Sequence, residues 1–349
     1  MFFSSLFLVA LWAWIFCASG AHAFSVPREG SAFIDRSRSP RGRTTRLKQH
    51  NRESRRHKLK ETARRTGAVS LSYAGLLGAR RPAEAQWQFR TPKDLLQFVQ
   101  ANAEKGSVDS VVNAIDEFSR RNWMMNVGAQ KGDILDDVIR SLGTRVKRLL
   151  EVGTFCGYSI CRISRVVPPD CRLVTVEKDK DTAAVAREVL SIAGLSNRVE
   201  VIQAAFRDVA SEIPKKLGGP ADVLFMDHWK NDYVKDVGVS EDVGLFKEGS
   251  LLAADNVLYP GAPGFIDWLD ENEAAFKWQL LDVPFEYRPD IPDQMAFAVY
   301  RGRGIPAKCA DESWGAVSMA LDRGEQSIKQ ARVELEQRRE STPELQTLS

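Results

Sequence analysis

Two short apolar runs each end in oxygen-bearing side chains. Val223-Leu224-Phe225-Met226 leads into Asp227, and Leu251-Leu252-Ala253-Ala254 leads into Asp255 and Asn256. Runs of this kind read as buried strands, and residues just past the carboxyl ends of parallel strands face the crevice where ligands bind. Two carboxylates and an amide oxygen suit a hard cation such as Mg2+, and three protein ligands leave an octahedral ion open positions for substrate and water. A substrate with two vicinal oxygens would fill two of them. The plain alternative is a strand-end cap at Asp227 and a turn at Asp255-Asn256. Lys230 closes the stretch Asp227-His228-Trp229-Lys230. An ammonium beside a divalent cation gives up its proton more readily, which suits a general base; otherwise Lys230 is a surface lysine. His228 reads as structural, and Trp229 as either an aromatic wall for a ligand or ordinary core.

A second site candidate is the loop within Leu150-Glu151-Val152-Gly153-Thr154-Phe155-Cys156-Gly157-Tyr158-Ser159. Gly153 permits a sharp turn and close approach of a ligand to the backbone. The G-x-G-x-x-G spacing that seats a dinucleotide pyrophosphate is absent, which disfavours a nicotinamide-dependent oxidoreductase. Glu151 instead stands just before the glycine. A carboxylate there suits a cationic ligand such as S-adenosylmethionine, whose amino group and sulfonium are both positive. Glu177 ends the next strand, where a carboxylate accepts hydrogen bonds from both ribose hydroxyls. Taken alone, the loop also fits a structural turn.

The elements that must position these residues alternate in type. Leu95, Leu96, Phe98 and Val99 recur at helical spacing, as do Val108, Val111, Val112, Ile115 and Phe118. Strands are predicted at Arg148–Val152, Arg172–Val176, Val199–Ile202, Ala221–Met226, Ser250–Ala254 and Ala296–Tyr300. Helices are predicted at Tyr158–Val166, Asp181–Ala193 and Phe206–Leu217. Repeated strand–helix units with apolar strands predict an α/β fold, Rossmann-like, with a mostly parallel sheet, helices on both faces and an antiparallel edge strand. Glu312–Arg339 reads as a charged helix. The expected organisation is a signal peptide or membrane anchor at 1–24, a basic disordered arm or linker at 25–86, the catalytic domain at 87–305 and a charged helical tail at 306–349.

Composition narrows the chemistry. The 349 residues carry a net charge of +3, yet residues 25–81 hold 16 Lys or Arg against 4 Asp or Glu, so the remainder is acidic. The five cysteines show no CxxC pair, which argues against a zinc site or a disulfide framework. Of four histidines only His228 lies in the body, so a histidine-based triad or metal site there is excluded. Residues 2–24 are uncharged and mostly apolar, and Ala21-His22-Ala23 suits signal-peptide cleavage; the same stretch is long enough to span a bilayer uncleaved. The Arg/Ser-rich arm lacks the large apolar residues needed to fold and the interleaved aromatics of a single-strand nucleic-acid surface. Apolar leader, Phe24 and basic arm together resemble the bipartite presequences of algae with secondary plastids, which implies entry to the secretory pathway or a membrane, with a plastid as destination.

In combination, the motifs of the body resemble the catechol O-methyltransferase family. Trp123-Met124-Met125-Asn126-Val127-Gly128-Ala129-Gln130-Lys131-Gly132 looks like the family segment that closes over the cofactor. Leu150 to Ser159 looks like its cofactor loop, and Asp227-His228-Trp229-Lys230 and Ala254-Asp255-Asn256-Val257 look like its metal and base segments. Tyr259-Pro260-Gly261-Ala262-Pro263 resembles the turn that follows. The resemblance covers roughly residues 92–302. It implies a class I methyltransferase fold, Mg2+ on Asp227, Asp255 and Asn256, and Lys230 as base. It implies cofactor contacts from Val127, Glu151, Gly153, Ser159, Glu177 and Asp227. Trp123, Met125, Trp229, Lys230, Asn256 and Pro260 would meet the substrate, and Glu286 would accept from its second hydroxyl. Ala204-Ala205-Phe206-Arg207 departs from a polar family segment beside adenine, and Phe155 replaces a tyrosine. The expected partner is a small catechol substrate, with no nucleic acid and with membrane association through residues 2–24 open, and the expected state is a monomer. Other hydroxylated aromatics, or a catalytically silent cofactor-binding module, are the alternatives.

Overall fold

The computed structural model describes residues 90–302 and 308–341. The expected leader at 1–24 and the basic arm at 25–86 lie outside the described residues. Helix α1 (Pro92–Asn102) begins at a capping box between Thr91 and Asp94, with Pro92 where a missing N–H costs nothing. Helix α2 (Val108–Arg121) follows, capped by Ser107, and then α3 (Gly128–Ser141). Strand–helix units come next: β1 (Arg148–Val152), α4 (Tyr158–Ser164), β2 (Arg172–Glu177), α5 (Lys180–Ile192) and β3 (Val199–Gln203). The predicted helix over 206–217 is instead α6 (Phe206–Val209), a 3-10 turn and α7 (Ile213–Leu217). Pro214 explains the break, because it lacks an N–H and its ring collides with a preceding carbonyl.

Then come β4 (Ala221–Met226), α8 (Tyr233–Asp242), β5 (Phe246–Ala254), α9 (Phe265–Glu271), β6 (Phe276–Phe285), β7 (Arg288–Tyr300) and α10 (Lys308–Ser341). They form one sheet in the order β3-β2-β1-β4-β5-β7-β6. Strands β1 to β5 pair in parallel, and β7 is antiparallel to both β5 and β6. The antiparallel strand therefore lies one place in from the edge, and β6 forms the edge. Its alternation is broken by Gln279 and Asp282, so the sequence did not mark it as a strand.

Successive strand residues feed opposite faces, as a pleated sheet requires. Leu149, Val223, Phe225, Leu251 and Ala253 join the core beneath α1 to α5 and α10; Leu150, Leu224, Met226, Leu252 and Ala254 join the core beneath α6 to α9. The charged stretch near the carboxyl end is helical, and its stripe of Ala310, Val317, Ala320 and Leu321 is buried. Helix α10 contacts α3 and β5, and Glu248 of β5 accepts hydrogen bonds from the first N–H groups at Cys309 and Ala310. Among the described residues, no helix is long and apolar enough to cross a membrane.

Candidate active site

The central strands end level with one another. Val152, Met226 and Ala254 are in register, and the next residue of each strand donates its N–H to a carbonyl at or next to the end of a neighbouring strand. Gly153 donates to Val176 at 2.9 Å, Asp227 to Val152 at 2.9 Å and Asp255 to Met226 at 3.0 Å. Asp227 and Asp255 thus leave adjacent strands at the same height, about one strand spacing apart. Tyr233 ties the two tips together: its hydroxyl lies 2.8 Å from the Met226 carbonyl and 3.0 Å from the Asp255 carbonyl. Lys230 Nζ donates to that hydroxyl at 3.0 Å and to Asp227 Oδ1 at 2.7 Å. Burial pushes the Asp227 carboxyl up from its ordinary range, and Lys230 only partly offsets this.

Beside them lies a cation that sequence reasoning did not single out. Lys131, in the first turn of α3, is 1% exposed. Its Nζ donates to Asp255 Oδ1 and Oδ2 at 2.8 and 2.9 Å, to Asp293 Oδ2 at 3.0 Å and to Glu286 Oε1. Burial alone would lower its pKa, but the charges of Asp255, Glu286 and Asp293 outweigh it and hold the ammonium. Burial also pushes Glu286 up to about 8, against the pull of Lys131. Asp255, Glu286 and Asp293 have carboxylate oxygens within 4.8 Å of one another. Lys131 fills that set, so it is not vacant for an ion.

The donor set still suits a hard cation. Asp227, Asp255, Glu286 and Asp293 face two ammonium groups, Lys131 and Lys230, so carboxyls outnumber cations, and a divalent ion would favour the ionised form of those that burial pushes up. Asn256 Nδ2 donates to Glu286 Oε1 at 2.8 Å and Asp293 Oδ2 at 2.9 Å, so its Oδ1 turns away from those carboxylates. The backbone at Asn256 is left-handed (φ 56°), which asparagine tolerates.

The loop after β1 forms a second pocket. Met125, Asn126, Gly153, Thr154, Phe155, Tyr158, Ser159 and Asp227 line it. Glu151 is fully buried; Thr175 and Ser159 hydrogen-bond it, while its Oε1 has no partner. Burial pushes its carboxyl up to about 7. A buried acceptor without a donor calls for one, and a ligand ammonium supplies it. Glu177 accepts from the N–H groups of Phe155 and Asp179, each at 2.8 Å, which shapes the loop; each oxygen keeps a further lone pair for a ribose hydroxyl. A Cβ on Gly153 would lie 2.5 Å from the Asp227 carbonyl oxygen. The glycine is required by chain against chain, not by approach of a ligand.

Comparison with known proteins gives the family. A family model described as O-methyltransferase matches residues 107–278. Catechol O-methyltransferase B of Danio rerio is 40% identical over 63% of this chain and 83% of its own length. Catechol O-methyltransferase of Bos taurus is 39% identical over 61% and 78%. The chain belongs to the catechol O-methyltransferase-like family. It is an S-adenosylmethionine-dependent O-methyltransferase. The chain is also similar to Transmembrane O-methyltransferase of Homo sapiens, 31% identical over 62% of this chain and 74% of that one. Among solved structures, the O-methyltransferase TomG of Streptomyces achromogenes in complex with SAM covers 64% of this chain and 100% of its own at 22% identity and a TM-score of 0.48.

In this O-methyltransferase, the residues expected at the cofactor gather around the β1 loop. Gly153, Ser159 and Asp227 line its pocket, and Val127 is buried just before α3. The residues expected at the substrate are less enclosed. Met125 is 45% exposed, Tyr259 is 43% exposed, Pro260 is exposed, and Trp123 and Trp229 are half-buried. Two residues of the segment that departs from the family have partners of their own. Phe206 is buried in the core beneath α6 to α9, and Arg207 pairs with Asp232 at 2.7 Å and lies 3.1 Å from Asp236. His228 Nε2 lies 2.7 Å from Asp236, in keeping with a structural role. Asp293 and Lys131 were missed because one sits within a run of Asp and Pro residues and the other reads as a surface helix lysine.

Proposed function

We propose that the protein transfers the methyl of S-adenosylmethionine to one hydroxyl of a catechol-type substrate, with Mg2+ held by Asp227, Asp255 and Asn256. The observation that carries this reading is the Asp227–Lys230 pair set level with Asp255-Asn256 on adjacent strand tips, in a cluster where carboxyls outnumber ammonium groups. The catechol O-methyltransferase relatives and the partly exposed side chains of Met125, Trp229 and Tyr259 support a flat aromatic substrate. Bound Mg2+ would supply a hard charge that favours a deprotonated oxygen.

The chain's own residues do the rest. Lys230, oriented by Asp227 and Tyr233, first gives its own proton to solvent and then, as the neutral amine, takes the proton of one hydroxyl. The resulting oxygen forms a bond to the methyl carbon as the carbon–sulfur bond breaks, leaving a neutral thioether. Glu286 accepts a hydrogen bond from the second hydroxyl, and Met125, Trp123, Trp229 and Pro260 wall the ring. Acceleration comes chiefly from positioning and electrostatics. The test is methyl transfer by the full-length protein to a panel of catechols, caffeoyl esters and flavonoids, with Mg2+ or with EDTA. Catechol turnover that collapses in EDTA is expected; equal turnover in EDTA would reject the metal, and turnover confined to the other aromatics would reject the substrate. We also propose that residues 2–24 direct the chain to the secretory pathway or a membrane, which a fluorescent fusion of residues 1–86 tests by its location.

A further inference from the structure

Among the described residues, five large apolar side chains stand exposed: Met319, Val333 and Leu335 on α10, and Met125 and Tyr259 in segments that carry site residues. One exposed ring is common on a protein surface. What sets Tyr259 apart is that it is exposed and yet held at both ends. Its N–H donates to Asp293 Oδ1 at 2.8 Å, and Asp293 Oδ2 accepts from Lys131 at 3.0 Å and from Asn256 Nδ2 at 2.9 Å. Its ring meets the Phe285 ring edge to face, with centroids 5.0 Å apart and planes at 82°. The backbone explains how one residue does both. Val257–Gly261 coils as a helical turn except at Tyr259, which is extended (φ −132°, ψ 123°). The ring therefore leaves the turn and reaches Phe285, the last residue of β6.

Both rings adjoin residues that meet the substrate's oxygens in the proposed reaction. Asn256 stands just before the turn and shares Asp293 with Tyr259, and Glu286 follows Phe285 and accepts from Asn256 Nδ2 at 2.8 Å. A catechol held by its two oxygens turns the far edge of its ring away from the groups that hold it. A substituent on that edge extends towards solvent, and the exposed surface beside Asn256 is Tyr259 and Pro260. Neither carries a charge, so the surface suits a flat apolar group better than an ionic one. An edge-to-face pair also leaves ring surface on which a third ring can pack, and such contacts add to the gain from burial alone. We propose that Tyr259 is a specificity-determining residue, and that the substrate is a catechol bearing a second aromatic ring, which packs on Tyr259 and Pro260. The inference rests on the catechol reading and names the class of catechol.

The test is steady-state methyl transfer by the full-length protein, with Mg2+, to catechols that differ at one ring position: 4-methylcatechol, 4-benzylcatechol and 4-(2-aminoethyl)catechol. The unaltered protein is expected to have its highest kcat/KM on 4-benzylcatechol. Tyr259→Ala should lower that value roughly tenfold, the size of one lost ring contact with its burial, and chiefly through KM. The value for 4-methylcatechol should fall much less. Tyr259→Phe keeps the ring and should keep the preference; a loss equal to that of Tyr259→Ala would assign the effect to the hydroxyl and overturn the packing. Equal losses on all three substrates would mean that Tyr259 only braces the turn against Phe285, and a loss confined to the aminoethyl compound would make the surface a cation site; either overturns the proposal. Should Tyr259→Ala not fold, Tyr259→Leu fills the space without a flat face and should show the same selective loss; retained preference overturns the proposal. Turnover of 4-methylcatechol without preference for the benzyl compound would overturn this inference and leave the catechol reading standing, whereas no turnover of any of the three would reject both.

Discussion

Binding of the cofactor should be linked to pH through Glu151. This carboxyl is fully buried, and burial, reinforced by the nearby charges of Asp227 and Glu177, pushes it up to about 7 in the free protein. A ligand ammonium needs it ionised. Below about pH 7 the free protein must therefore release a proton before it binds, and affinity should fall about tenfold for each pH unit. Calorimetry with S-adenosylhomocysteine should show Kd near its plateau at about pH 8 and roughly tenfold weaker at about pH 6. Buffers of different ionisation enthalpy should report close to one proton released at the lower pH and almost none at the higher. Glu151→Gln removes the titrating group at nearly the same shape, so its affinity should be weaker at the plateau and flat with pH. A flat Kd in the unaltered protein, or a slope that survives Glu151→Gln, would refute the argument. The same group acts oppositely on the stability of the free protein. Its folded pKa lies above the unfolded value of 4.5, so its contribution is complete below that value and is lost as the pH rises through about 7.

Three substitutions test other parts of the site. Lys230→Met should lower catechol turnover by about a hundredfold or more, the range of general-base catalysis, with S-adenosylhomocysteine affinity unchanged by calorimetry; full turnover would dismiss Lys230 as the base. Lys131→Met should lower the melting temperature sharply, because losing a buried cation from among Asp255, Glu286 and Asp293 costs about 3–5 kcal/mol; an unchanged melting temperature would mean that those carboxylates are protonated together. Gly153→Ala should destabilise the fold even without ligands, since its Cβ would collide with the Asp227 carbonyl at 2.5 Å and the backbone there is left-handed (φ 102°); a normal melting curve in the free protein would return the glycine's role to ligand approach.

Strand positions were legible in the sequence because the inner strands are buried on both faces and read as unbroken apolar runs. Ala221–Met226 is buried at every residue, and its end fixes the place of Asp227. The sheet's far side was less legible. Strand β6 carries Lys277, Gln279 and Asp282 among its apolar residues because one of its edges is free, and mixed patterns of that kind do not separate a strand from a loop. Helix α3 went unpredicted for a related reason: it opens with Gly128 and Gly132, poor helix formers placed there by contact. A Cβ on Gly132 would lie 2.5 Å from the Arg162 guanidinium.

What the pattern of residues could not convey was charge brought in from a distance. The motifs at Asp227 and Asp255 place two carboxylates side by side on strand tips, an arrangement that is unstable by itself in a buried site. The fold answers with Lys131 of α3, which reaches Asp255 from 124 positions away and also holds Glu286 and Asp293 of the β6–β7 hairpin, 155 and 162 positions from it. Helix α3 is in turn held from outside by α10, where a Cβ on Gly324 would lie 3.4 Å from Ile134. The charged carboxyl-terminal helix therefore bears on the catalytic cluster through a single rigid element. Shortening the chain before α10 would expose the outer face of α3 and loosen the ammonium that keeps Asp255 and Glu286 in place. Its first measurable effect should be a loss of methyl transfer that outpaces any loss of S-adenosylhomocysteine binding, because the β1 loop and Glu151 lie on strands that α10 does not support. Equal losses of both would mean that α10 stabilises the whole sheet and not the cluster in particular.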